Sequence, residues 1–162
     1  DNGSTVTQGV LGSHLADVDQ SGNDNSSTVT QYGWSQAAYV DQVGDGNTSS
    51  IDQGTALNGS DQYASVAQNG DDGMSTITQR GQDQRAELTQ GGVSNESFID
   101  QSGSDHLAEV TQDGADNYSS VIQSGSGSSA TVTQTSDLNN SFVNQSGNGH
   151  SATVVQGSTG AM

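Results

Sequence analysis

The sequence predicts an all-β fold: a β-solenoid (cross-β, two facing parallel in-register sheets) of seven 22-residue strand-turn-strand coils. Three observations predict it. Glutamine recurs at a spacing of eleven along almost all of the 162 residues. Within each repeat the recurring residues fall on every second position, which is the strand period, and nothing recurs at helical spacing. A short connection with glycine in it follows nearly every one of these glutamines. A fixed period of this kind decides the architecture ahead of any other reading.

Without its periodicity the chain would read as disordered, at 28% hydrophobic residues, 4% aromatic residues and a net charge of -17. The repeat overrides that reading. Cysteine is absent, which excludes a disulfide framework, a thiolate metal site and a cysteine nucleophile. Only two basic residues, both arginine, oppose nineteen acidic ones, so nucleic acid is excluded as a partner. No apolar run approaches a membrane span, so no membrane insertion is expected. The N-terminus has no charged-then-apolar signal segment, and a secreted protein would here be in its processed form.

The first column is glutamine: Gln8, Gln20, Gln31, Gln42, Gln53, Gln68, Gln79, Gln90, Gln101, Gln112, Gln123, Gln134, Gln145 and Gln156. Two positions before each stands an aliphatic residue: Val6, Val18, Val29, Val40, Ile51, Val66, Ile77, Leu88, Ile99, Val110, Val121, Val132, Val143 and Val154. Four positions before, the residue alternates. It is Ser4, Ser27, Ser49, Ser75, Ser97, Ser119 and Ser141 in one half-repeat, and Ala16, Ala38, Ala64, Ala86, Ala108, Ala130 and Ala152 in the other. Six positions before, the serine-type halves have Asn2, Asn25, Asn47, Asn95, Asn117 and Asn139, with Gly73 the exception. The alanine-type halves have His14, Gln36, Gln62, Gln84, His106, Ser128 and His150 there. The true period is therefore twenty-two. Residues 1–156 form one repeat domain with coils at about 2–24, 25–46, 47–72, 73–94, 95–116, 117–138 and 139–156, and 157–162 form a C-terminal tail.

Glycine is usually the second residue of the connection, as Gly22, Gly33, Gly44, Gly70, Gly81, Gly92, Gly103, Gly114, Gly125 and Gly147, and supplies the positive φ of a tight turn. Val10, Thr55, Ser136 and Ser158 stand where that glycine is missing. Two connections are longer than the rest, "GVLGS" after Gln8 and "GTALNGSD" after Gln53, and both should bulge from the same edge without disturbing the core.

Stacked coils rise by about 4.8 Å each, so seven coils make roughly 33 Å. Inward faces carry Asn-Ser-Val-Gln on one strand and His/Gln-Ala-Val-Gln on the other. Small faces large across a thin core, as in a dry steric zipper. Glutamine and asparagine amides at its two ends are expected to donate to the next coil and accept from the previous one. Six Asn-x-Ser matches such as Asn95-Glu96-Ser97 formally resemble glycosylation sites, but both residues point inward in this register; Asn58 and Asn144 begin two more outside it. His14, His106 and His150 stand where other coils have glutamine, so a hydrogen-bonding ladder role ranks ahead of a metal site or a pH switch. Turn runs such as "GDDG" lack the nine-residue calcium-repeat spacing, so no specific metal site is expected. Serine, aspartate and histidine recur as ladders and not as one converging site, so no enzyme and no cofactor are expected. Tyr39, Tyr63, Phe98, Tyr118 and Phe142 point outward, and Tyr32 and Trp34 lie at a turn; lateral filament contacts and scattered surface aromatics are both open for them.

The segments Gln20-x-Gly22-x-x-Asn25-x-Ser27-x-x-x-Gln31 and Gln31-x-Gly33-x-x-Gln36-x-Ala38-x-x-x-Gln42 resemble the curlin repeat, Gln-x-Gly-x-x-Asn-x-Ala-x-x-x-Gln. The resemblance runs from Asn2 to Gln156. It implies a subunit of curli, the extracellular functional amyloid fibres of bacterial biofilms, closer to a major subunit than to a basic nucleator. It further implies export through an outer-membrane secretion pore, growth from a nucleator subunit, and self-templated polymerisation. Serine in place of alanine in alternate halves and the high acidity depart from the family pattern, and Asp1 runs straight into the repeat, so the export-targeting segment the family commonly has is expected to be trimmed or unnecessary.

An uncapped solenoid exposes unpaired backbone groups at both ends. The repeat is expected to polymerise with itself head to tail, Asn139, Ser141, Val143 and Gln145 stacking on Asn2, Ser4, Val6 and Gln8 of the next copy. On the other strand His150, Ala152, Val154 and Gln156 would meet its His14, Ala16, Val18 and Gln20. Stacked acids such as Asp19 and Asp41 oppose growth, so salt, divalent cations or acid should speed it. Two other readings compete: an ice-binding solenoid using outward Thr-x-Thr, whose array breaks at Asp52, Phe98 and Asp100, and a repeat segment of a larger adhesin.

Overall fold

The alternation of inward aliphatic and outward polar residues resolves into one strand per eleven-residue unit. The computed structural model describes residues 1–9, 12–54 and 60–157. Its strands are β1 (Gly3–Gln8), β2 (Leu15–Ser21), β3 (Ser26–Gln31), β4 (Ala37–Val43), β5 (Thr48–Gln53), β6 (Tyr63–Asp71) and β7 (Met74–Gln82). They continue as β8 (Arg85–Val93), β9 (Glu96–Ser104), β10 (Leu107–Gln112), β11 (Tyr118–Ser126), β12 (Ser129–Gln134), β13 (Asn140–Asn148) and β14 (Ser151–Gln156). Val10, Thr55, Asn58 and Ser158, with most of the eight-residue connection and of the tail, lie outside the described residues.

Odd strands form one seven-stranded sheet and even strands the other, each in coil order. All pairing is parallel and in register: Ser4 on Ser27 on Ser49, Val29 on Ile51 on Ile77, Gln101 on Gln123 on Gln145. The chain is thus a solenoid of seven two-strand coils. The 22-residue period causes this register, because a slip by one residue would turn every valine out to solvent. The connections from β1 to β2 and from β5 to β6 both cross from the first sheet to the second, on one edge.

The core is a file of Val, Ile and Leu alongside a file of alanine, with Val29, Ile77, Val121, Ala38 and Ala86 fully buried. Its end coils are more open: Val6 is 45% exposed, and Val18 and Val154 are only partly buried.

Several strands run on through the turn glycine, pairing Gly81 with Gly103, Gly103 with Gly125 and Gly125 with Gly147. A Cβ on Gly81, besides meeting an unfavourable φ of 141°, would overlap the carbonyl oxygen of Gly103. Glycine is therefore needed there for stacking as well as for φ. The last turn residue is also left-handed, as in Asp24, Ser35, Asp61, Asp72, Asp83, Ser94, Asp105 and Asp116, with φ between 52° and 58°. Aspartate tolerates that region better than most residues. Leu138, at φ 61°, is the misfit.

Candidate assembly interface

The glutamine side chain is long enough to reach both the next coil and the opposite sheet. Gln79 Nε2 donates to Gln101 Oε1 at 2.9 Å and, across the core, to the Tyr63 carbonyl at 3.0 Å. Its Oε1 accepts from Gln53 Nε2 at 2.9 Å. Gln101 repeats the scheme with Gln123 Oε1 and the Arg85 carbonyl, as does Gln112 with Gln134 Oε1 and the Glu96 carbonyl. The ladder therefore satisfies its own buried amides and also stitches one sheet to the other. The cross-core bond is not part of the expectation from sequence.

Asparagine behaves differently from the stacked amides expected of it, because its shorter side chain reaches main chain. Asn25 Oδ1 accepts from the Asn47 N–H at 2.9 Å, and Asn25 Nδ2 donates to the Ser21 and Gly44 carbonyls at 3.0 and 2.8 Å. Asn117 does the same with Asn139 N–H and the Asp113 carbonyl. Only Asn139 also donates amide to amide, onto Asn117 Oδ1. Gln36 and Gln62, at the corresponding place in the other sheet, do ladder, onto Gln62 and Gln84. His106 takes the asparagine role: Nδ1 accepts from Ser128 N–H at 3.3 Å and Nε2 donates to the Ser102 carbonyl at 3.1 Å. Facing a carbonyl, Nε2 must carry the proton, which leaves Nδ1 as the acceptor.

Both glutamine ladders have one polarity. Nε2 of each coil donates to Oε1 of the following coil, from Gln8 to Gln31 and Gln20 to Gln42 at one end to Gln123 to Gln145 and Gln134 to Gln156 at the other. On the last coil, Gln145 and Gln156 donate across the core to the Ser129 and Asn140 carbonyls. Their second amide hydrogen, which every interior coil sends onward, faces the end. At the other end, Gln8 and Gln20 present Oε1. Main-chain bonding, by contrast, runs both ways: Gly3 N–H donates forward to the Asn25 carbonyl, and Gly44 N–H donates back to the Ser21 carbonyl. The last coil has a shallow hollow of about 470 Å³ lined by Phe142, Val143, Gln145, His150, Ala152 and Val154.

Charge is distributed unevenly. Of the nineteen acidic residues, only Asp137 lies beyond Asp116, whereas the first coil holds Asp1, Asp17, Asp19 and Asp24. Asp19 pairs with Asp41 on adjacent strands. Asp45, in a turn, and Asp71, at the end of β6, accept main-chain N–H groups of the preceding coil from Asn23 and Asp45. Arg80 pairs with Asp100 at 3.2 Å, and Arg85 pairs with Glu87 and lies 4.4 Å from the Tyr63 ring centre. On the outer face of the odd-strand sheet, Phe98 and Phe142 flank buried Ser120, and Phe98 meets Tyr118 at 6.0 Å. The outward threonine column reads Thr5, Thr28, Ser50, Thr76, Phe98, which is no continuous grid. Among the described residues no group of three or more His, Asp or Glu is placed to hold a metal ion.

The model of the curlin associated repeat matches residues 12–33, 81–114 and 107–135. These segments are curlin repeats. No curated protein and no solved structure matches the chain at a significant level. The matched segments of the curlin repeat take in β2–β3 and β8–β12, strands whose glutamines, small residues and turn glycines make up the ladders described above.

Proposed function

We propose that this chain is a structural subunit of an extracellular functional amyloid fibre, curli-like, that polymerises head to tail into biofilm matrix or adhesive filaments. One observation carries the reading: both glutamine ladders leave donors at the last coil and acceptors at the first. A second copy placed head to tail satisfies both, whereas head-to-head contact sets acceptor on acceptor. It would also bring together two acid-bearing first coils, while the head-to-tail junction sets one of them against a nearly uncharged last coil. In this reading Asn2, Ser4, Val6, Gln8, His14, Ala16, Val18 and Gln20 of one subunit receive the last coil of its neighbour. A nucleator subunit and an outer-membrane secretion pore are the further partners.

Incubating the purified protein, with sedimentation and electron microscopy as readout, tests this. The reading expects unbranched fibres that bind thioflavin and seed fresh protein; a discrete monomer at all concentrations rejects it. Surface labelling of producing cells tests the extracellular placement. A thermal-hysteresis assay separates the ice-binding alternative, and the fibre reading expects none.

A further inference from the structure

We propose that His150 makes the junction between subunits proton-sensitive, because it must accept a main-chain hydrogen bond from the next copy and does so only when neutral. The inference rests on the head-to-tail reading above.

His106 shows the rule inside one subunit. Its Nε2–H is held by the carbonyl of the residue four before it, Ser102, and its Nδ1 accepts the N–H of the residue one coil on, Ser128. His150 reproduces the first half, with Nε2 donating to the Ser146 carbonyl at 2.9 Å. The tautomer is fixed in the same way, so Nδ1 is the acceptor. His150 lines the hollow of the last coil. The residue that stands to His150 as Ser128 stands to His106 is His14 of the next copy. Its main-chain N–H would donate to His150 Nδ1.

Protonating Nδ1 turns that acceptor into a donor facing a donor. The junction therefore favours the neutral ring: its stability is full where the imidazole is uncharged and is lost as acid protonates it. Nothing nearby offsets the added charge. Ser128 lies on the coil beneath, Gln145 across the turn, and β12 and β13 carry no ionisable side chain. Asp137 lies at the opposite edge, and Asp105 and His106 are two coils away. The neighbouring copy brings His14, itself ionisable, and Asp17 on the outward face.

Asparagine performs the same two bonds without titrating, as Asn117 does with Asp113 and Asn139. His150→Asn is therefore the decisive variant. The measurement is the concentration of full-length protein left unpolymerised at equilibrium, between pH 5.5 and 7.5 at fixed ionic strength, where carboxylates stay ionised. Wild type should show about a tenfold rise as pH falls to 5.5, the size of one lost buried hydrogen bond. H150N should be flat, H150A weak at every pH, and H14N, which keeps the main-chain donor, should retain the wild-type slope. A flat wild-type profile, an H150N profile like wild type's, or loss of the slope in H14N would each overturn the proton dependence while leaving the fibre reading intact. Absence of fibres at every pH would instead remove the head-to-tail reading.

Discussion

Gln79 sits at the middle of its ladder, so its removal measures what one rung is worth. Gln79→Ala deletes three hydrogen bonds, to Gln53, Gln101 and the Tyr63 carbonyl. The Tyr63 carbonyl keeps its ladder partner in the parallel sheet, so two groups are orphaned: one N–H of Gln53 and Oε1 of Gln101. A buried polar group left without a partner costs about 1–3 kcal/mol. The expected loss is about 2–6 kcal/mol, a large share of a domain stability of about 5–15 kcal/mol. Gln79→Met fills the space without hydrogen-bonding, and so separates the polar loss from the cavity. Thr78→Ala, the outward neighbour on the same strand, should stay within about 0.5 kcal/mol. Guanidinium unfolding followed by circular dichroism gives all three values. If Gln79→Ala costs no more than Thr78→Ala, the ladder contributes nothing and the reasoning fails.

Gly81→Ala forces a Cβ into the Gly103 carbonyl at φ 141°, and should cost well over 1 kcal/mol in the same assay. Leu138→Asn relieves a leucine held at φ 61° and should raise the unfolding midpoint by about 1 kcal/mol equivalent. Raising salt from low to physiological ionic strength should shorten the thioflavin lag, because Asp19 and Asp41 pair on adjacent strands and each such contact repels by about 1 kcal/mol in water. Lowering pH to 4 should act the same way in H150N, where the histidine contribution is absent.

The strands, both sheets and their register follow from residues such as Val29, Ile51 and Ile77 recurring in phase with Gln31, Gln53 and Gln79, since a period of two inside a period of twenty-two admits one stacking. What periodicity could not show is reach. Asn25 and Gln31 look alike as amides, yet one methylene decides that asparagine caps main chain while glutamine bridges to the next coil and across the core. That His106 would behave as an asparagine and not as the glutamine it replaces depends on ring geometry, which composition does not encode. The last turn position is legible in the sequence: Asp24, Ser35, Gly46, Asp61, Asp72 and Asp83 are all residues that suit a left-handed backbone, and Leu138 breaks the series.

The most direct measurement of the central claim is a near-atomic cryo-EM reconstruction of the assembled protein. The account predicts that Val143 stacks on Val6 and Val154 on Val18 of the next subunit, with the rung spacing of about 4.8 Å unbroken across the boundary. A gap or change of register at that boundary, or subunits meeting first coil to first coil, would contradict it.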